Sequence, residues 1–168
     1  MNQDSTTSAG STGITLRSAT PHDKDFLLSV YASTRAEELA LTPWSDAERL
    51  AFVEMQFAAQ HTDYERRFPT SDHSVVQVDG VSVGRIWIAR GDDEIRLLDV
   101  ALLPEHRNEG IGTFLLRRMQ DEAAVAGKPL RHSVYKMNSA ALRFYHRLGF
   151  RVVEDFETYV LMEWIPPD

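Results

Sequence analysis

The chain has 168 residues, 43% of them hydrophobic and 26% charged, the balance of a single globular domain long enough to bury a real core. Its formal net charge of -7 leaves no dominant basic face, so nucleic acid is excluded as the main partner, while the acidic surplus suits a cationic substrate and also serves solubility. The absence of cysteine removes disulfides, thiolate metal sites and a cysteine nucleophile, and with no membrane-length apolar run and no signal-like N-terminus we expect a cytoplasmic protein without a membrane partner.

Residues 1–13 are rich in Asn, Gln, Ser, Thr and Gly. Burial there cannot offset the entropy of ordering, so they read as a disordered tail. Residues 14–17 alternate as a first strand. Pro21 opens a helix with Asp23 and Asp25 in its first turn and an apolar stripe of Phe26, Leu27, Val30 and Tyr31. That helix is expected to run to about Arg35, with Glu37-Glu38-Leu39 continuing it or beginning a second turn. Thr42-Pro43-Trp44-Ser45 is a break, and Ser45 with Glu48 forms a capping box for a helix over residues 46–61. Apolar residues ring much of this second helix, which predicts cover on more than one side. Residues 64–69 are expected as a loop.

Residues 74–78, the Asp79-Gly80 turn, residues 81–89 and residues 94–103 read as an antiparallel three-strand meander. The next helix carries Ile111, Leu115, Met119, Ala123 and Ala126 on one stripe and stops at Gly127. Residues 130–135 form a strand, residues 139–148 a helix closed by Gly149, and residues 150–153 with 159–164 a closing hairpin. No repeat and no second domain is visible, so residues 14–168 are taken as one mixed α/β domain.

Residues 97–112 carry the chemistry. An apolar, strand-like run is stopped by Pro104, a polar turn follows, and Arg107-x-x-Gly110-x-Gly112 leads into a helix. The first turn of a helix has unpaired N–H donors and the positive end of the dipole, and glycine lets an anion come close. A phosphate or pyrophosphate site at Gly110 follows. The turn matches neither a Walker A loop nor a dinucleotide fingerprint.

This stretch resembles the acetyl-CoA signature Arg/Gln-x-x-Gly-x-Gly/Ala of the GNAT N-acetyltransferases. A second block, Asn138-Ser139-Ala140-Ala141 through Tyr145 to Gly149-Phe150, is similar to the family's later Asn-x-x-Ala-x-x-x-Tyr-x-x-x-Gly-Phe. The resemblance implies a mostly antiparallel central sheet flanked by about four helices, with a strand pair splayed at the cofactor. It implies acetyl-CoA as cofactor, CoA as product, and a primary amine of a small molecule or peptide as acceptor; a homodimer stays open. It assigns the pyrophosphate to the backbone of Arg107, Asn108, Glu109, Gly110, Ile111 and Gly112. The pantetheine arm falls to Val100, Ala101 and Leu102, with a contact from Asn138, which also reads as a helix N-cap. Tyr145 becomes the general acid for the departing thiolate and a cofactor contact, or else a core aromatic.

Many members place a glutamate base where this chain has Arg96 and Ser133. Asp99, Glu94 and His132 remain as bases acting through water, Asp99 foremost, because a charge inside an apolar run needs a partner or a job. The missing glutamates keep open a catalytically idle acyl-CoA sensor or interaction module. The histidines lack metal-ligand spacing, so no metal is expected. Trp44, Phe57, Tyr64 and Phe68 are candidates for an acceptor pocket or for core, and residues 41–45 for shaping the acceptor site.

Overall fold

The computed structural model describes residues 13–168. The expected tail lies outside the described residues except for Gly13, whose carbonyl accepts the Asp79 N–H at 2.8 Å. In chain order the elements are β1 (Ile14–Ser18), α1 (Lys24–Ala40), α2 (Asp46–Arg67), β2 (Asp72–Val78), β3 (Val81–Arg90), β4 (Ile95–Leu102), α3 (Ile111–Ala126), β5 (Leu130–Tyr135), α4 (Ser139–Arg147), β6 (Arg151–Asp155) and β7 (Tyr159–Trp164). Short 3-10 turns, Pro21–Asp23 and Pro104–His106, precede α1 and follow β4. No helix among the described residues is long and apolar enough to cross a membrane.

The strands form one seven-stranded sheet in the order β1-β2-β3-β4-β5-β7-β6. Every pairing is antiparallel except β4 with β5. That parallel step needs a crossover, which α3 supplies. The hairpin between β2 and β3 turns at Asp79 (φ 49) and Gly80 (φ 80), both left-handed as a tight primed turn requires. Helices α3 and α4 cover one face through Ile111, Leu115, Leu116, Met119 and Tyr145. On the other face α1 and α2 bury Leu27, Tyr31, Leu39, Val53 and Phe57 against Val75.

Helix α2 outruns the sequence expectation, and α1 takes the longer of its two readings. The residues after Arg35 are good helix formers, and α1 stops only at Ala40, ahead of Pro43. The capping box holds at Ser45, whose Oγ accepts the Glu48 N–H at 3.2 Å and whose N–H donates to the Glu48 carboxylate at 2.7 Å. Tyr64 to Arg67 is helix rather than loop. Asp63 pairs with Arg66 and Arg67 one turn on, both at 3.1 Å, and the helix ends at Phe68, which Pro69 pushes out of helical geometry. Only one side of α2 is covered, since Leu50 and Met55 are exposed. Phe150 lies before β6 and is buried in the core rather than paired in the hairpin.

On β3, Gly84 lies opposite Leu102 of β4. A Cβ there would overlap the Ala101 carbonyl oxygen and the Leu102 side chain. Backbone cannot step aside as a flexible side chain can. Gly84→Ala should therefore cost on the order of 1–3 kcal/mol of folding stability or more. Urea unfolding of the variant measures it, and a loss below a few tenths would mean the strands slide apart freely.

Candidate active site

The site begins where the sheet opens. The β4–β5 ladder holds only three pairs, Ile95 with Leu130, Arg96 with Arg131 and Leu97 with His132. On its other edge β4 stays paired to β3 as far as Leu102. Beyond Leu97 the edge of β4 facing β5 is therefore without a strand partner, over Val100, Ala101 and Leu102. A β-bulge at Leu98 helps to break the register, since Trp87 opposes Asp99 while Ile88 opposes Leu97. Side chains finish the ladder. His132 Nδ1 lies 2.8 Å from the Leu97 carbonyl, and the Tyr64 hydroxyl donates to the Leu98 carbonyl at 2.9 Å. A carbonyl only accepts, so Nδ1 carries the proton and Nε2 the lone pair of a neutral imidazole. Burial lowers the His132 pKa, partly opposed by that same bond.

The turn after β4 leads into α3. Asn108 (φ 61) and Gly110 (φ 83) are both left-handed, which asparagine tolerates and glycine adopts without cost. Phe114 N–H is the first α3 donor to find a backbone acceptor, the Gly110 carbonyl at 3.0 Å. The N–H groups of Ile111, Gly112 and Thr113 precede it and have no intrahelical partner. No protein atom lies within 4 Å of where a Cβ on Gly110 would sit. The Arg107 side chain turns away from this cradle: Nε donates to the Leu102 carbonyl at 3.0 Å and Nη2 to Ser33 Oγ at 3.3 Å. Its guanidinium ties the turn to β4 and α1, which leaves the backbone to face an anion. Glu109 has only the neighbouring His106, 3.9 Å away.

Helix α4 adjoins both features. A Cβ on Gly112 would lie 3.5 Å from the Phe144 ring, so the start of α3 touches α4. Asn138 caps α4, its Oδ1 accepting the Ala141 N–H at 3.1 Å, and its amide NH2 is left to donate elsewhere. Tyr145 is buried, with its ring 4.9 Å from that of His132 and edge-on to Phe144 and Phe150. Among the described residues its hydroxyl makes no hydrogen bond, yet it is not one of the sealed polar atoms lacking a partner. The ring is thus core, and the hydroxyl has no partner to lose among the described residues. Burial first, and then the Asp99 charge, push its pKa well above that of an ordinary phenol.

Asp99 sits on the opposite face, beneath α1 and α2, three-quarters buried. The partner it needed is Arg85, whose Nε donates to Asp99 at 2.6 Å and whose Nη2 donates to Gln60 at 2.6 Å. Arg85 is 1% exposed and lies over the Tyr31 and Phe57 rings at 5.7 and 5.8 Å. Its Nη1 has no partner among the described residues. Nearby, His73 stacks on Trp87 at 4.1 Å, and burial together with the Arg85 charge lowers its pKa to about 4. Sequence reasoning passed over Arg85 and Gln60. The signal was present, because Arg85 interrupts the apolar run of β3 just as Asp99 interrupts β4. Of the proposed acceptor aromatics, Phe57 is core, Tyr64 and Phe68 pack on Trp87 and Leu98, and Trp44 rests against Phe52 at the surface, so they line no common pocket. Glu94 is held by Arg96 at 3.1 Å and Arg131 at 3.2 Å.

A sheet that splays beside an unpaired helix start is an arrangement of free backbone donors and acceptors, and the comparisons identify the family that carries it. A family model described as an acetyltransferase (GNAT) domain matches residues 69–152, half of the chain. The chain belongs to the GNAT acetyltransferases. Similar solved structures include the PaiA N-acetyltransferase of Thermoplasma acidophilum in complex with coenzyme A, 19% identical over 92% of this chain and 99% of that one, with a TM-score of 0.69. An acetyltransferase from Thermus thermophilus is 22% identical over 91% and 97%, with a TM-score of 0.67. YncA of Salmonella typhimurium, solved with acetyl-CoA, is 23% identical over 94% and 96%, with a TM-score of 0.56. At these identities the likeness is one of fold. No curated protein matches the chain.

Proposed function

We propose that residues 14–168 act as one acetyl-CoA-dependent N-acetyltransferase, moving an acetyl group to a primary amine by direct attack. One observation carries this: the open edge of β4 past Leu97 lies beside the unpaired N–H groups that start α3. The fit to the cofactor rests on this chain's own backbone. The Val100 backbone and the Leu102 N–H face the open edge and offer strand-like pairing to the pantetheine amides, with Ala101 between them turned to β3, and residues 107–112 offer donors and space to a pyrophosphate. Asn138 adds its free amide. Acetyl-CoA supplies an activated thioester there.

Around that thioester the chain positions and moves protons. Free N–H groups at the opening polarise the acetyl carbonyl. The neutral amine forms the new C–N bond as the C–S bond breaks, with the bonding pair leaving on sulfur. Asp99 takes the amine's proton through a water, using the carboxylate oxygen not committed to Arg85. Tyr145 Oη, protonated at neutral pH as any phenol is, gives a proton to sulfur and regains one from solvent. A second reading, an idle acyl-CoA sensor, is favoured by Arg96 and Ser133 where many relatives carry glutamate. Acetylation of any amine in a panel separates the two.

The cradle itself has a direct test. Gly112→Val adds methyls beside the Phe144 ring, where a Cβ alone makes ordinary contact, and Gly110→Val places a β-branched residue at φ 83. Both should keep the fold while CoA affinity falls by about tenfold or more, equivalent to ~1.4 kcal/mol. Calorimetric titration of CoA into the folded variants decides it. Native affinity in both would remove the phosphate site from this turn.

A further inference from the structure

Two guanidinium groups converge on one aromatic ring at the open end of β4. Arg85 lies 5.7 Å from the Tyr31 centroid and Arg35, one turn along α1 from Tyr31, lies 5.4 Å from it. From within the fold Asp99 pairs with Arg85, and its charge also reaches Arg35, whose Nη2 donates to the Tyr31 hydroxyl at 3.4 Å. Glu38, 3.6 Å from Arg35, is a mostly exposed i,i+3 neighbour, a class of pair that contributes little. The more buried part of the cluster, Arg35 and Arg85 against Asp99, is thus one positive charge in excess, and the solvent-exposed Glu38 is what balances it. It also holds donors with nothing to donate to among the described residues: Arg85 Nη1 and Arg35 Nε are sealed from solvent without a partner there. An unpaired buried donor on a charged group is costly, and such groups persist where a ligand completes them. The cluster is reachable, because the Arg35 side chain is one-third exposed and that of Asp99 one-quarter, with Arg85 behind them.

We infer that the acceptor is a small primary amine that also carries a free carboxylate, which Arg35 takes up over the buried charge of Arg85 while the amine lies beside Asp99. This rests on the transferase proposed above and names its substrate class. Arg35 offers a planar fork to the carboxylate, and Asp99, open on one oxygen, offers an acceptor to the amine. The spacing of opposite charges suits an amino acid. A diamine would set its second ammonium against two guanidiniums. The cationic acceptor that the overall charge suggests is thus disfavoured, because buried charges nearby outweigh a screened surface field.

The test compares each of several amino acids (glycine, β-alanine, 4-aminobutyrate and the proteinogenic set) with its own amide and with a diamine of matching length. Initial rates are taken with acetyl-CoA, and each acid is titrated calorimetrically into protein saturated with CoA. Amidation lowers the amine pKa and so favours the amide, which makes the comparison conservative. The preferred acid should exceed its amide in kcat/KM by about 10- to 10²-fold, the scale of a charge-assisted hydrogen bond. Arg35→Gln should erase that ratio by lowering the acid alone, and Arg35→Lys should restore part of it. Amides or diamines matching the acids, or Arg35→Gln lowering acid and amide alike, would overturn the inference and leave the transferase standing. If nothing is acetylated, Arg35-dependent binding of an acid to the CoA complex still supports the anion site while the transferase fails. No transfer and no acid binding would end both.

Discussion

Tyr145→Phe should leave folding and CoA binding near native while turnover falls on the order of 10²-fold or more, the usual scale of general acid catalysis. The expectation follows from how the side chain is divided. Its ring packs on His132, Phe144 and Phe150, and phenylalanine keeps every one of those contacts. Its hydroxyl makes no hydrogen bond within the described chain, so removing it strands no buried partner. What is lost is the proton. Burial and the Asp99 charge raise the phenol's pKa, so the neutral, donating form persists above the pH at which a free phenol ionises. Activity that depends on this proton should therefore show no alkaline decline from Tyr145 in the range where ordinary tyrosine titrates. Turnover assays on a working amine, a melting curve and a CoA titration read the three quantities together. Unchanged turnover would make Tyr145 a core aromatic only, with water protonating the thiolate. A collapse in stability would mean that the hydroxyl has a structural bond after all.

Asp99→Ala should be the most destabilising single change in the site, costing about 3–5 kcal/mol. It leaves Arg85, 1% exposed, as a buried charge with only Gln60 for company. The reverse deletion, Arg85→Met, should cost less. Asp99 keeps access to water through its exposed quarter, and methionine fills the space between Tyr31 and Phe57. The double change Arg85→Met with Asp99→Leu should cost less than Asp99→Ala alone, because removing both charges leaves neither unpaired. Urea unfolding of the three proteins gives the comparison. If Asp99→Ala proves the mildest of them, Arg85 has another counter-charge and the ion pair is not what holds the carboxylate in place. Asp99→Asn separates this structural cost from chemistry. Its amide oxygen can still accept from Arg85 Nε, so a protein that folds but turns over slowly would mark Asp99 as the base.

The local features were legible in the sequence because their causes are local. Capping chemistry marks the start of α2 at Ser45, positive-φ residues mark the hairpin at Asp79-Gly80, and strand periodicity marks β5 and β7, whose observed bounds match the sequence expectation. The glycine-bearing turn before α3 and the asparagine cap of α4 were legible for the same reason, and two short blocks in order sufficed to indicate the family. Helix ends were less legible: α1 and α2 run on because nothing in the chain stops them before the prolines at 43 and 69. The rest had to await tertiary structure, since it depends on pairs far apart in the chain. Asp99 could be singled out as a charge needing a partner, but Arg85, Gln60 and the Tyr31 ring with Arg35 meet it only when α1 and α2 fold across the sheet. The splay was implied by resemblance, whereas its boundary at Leu97 depends on His132, thirty-five residues away, supplying a side-chain nitrogen where the ladder stops. Periodicity records which face of an element is apolar, not which residue of another element will stand opposite it. Sequence therefore specified the glycine-bearing turn proposed to hold a phosphate, and only the assembled sheet decided which charges surround the open end of β4.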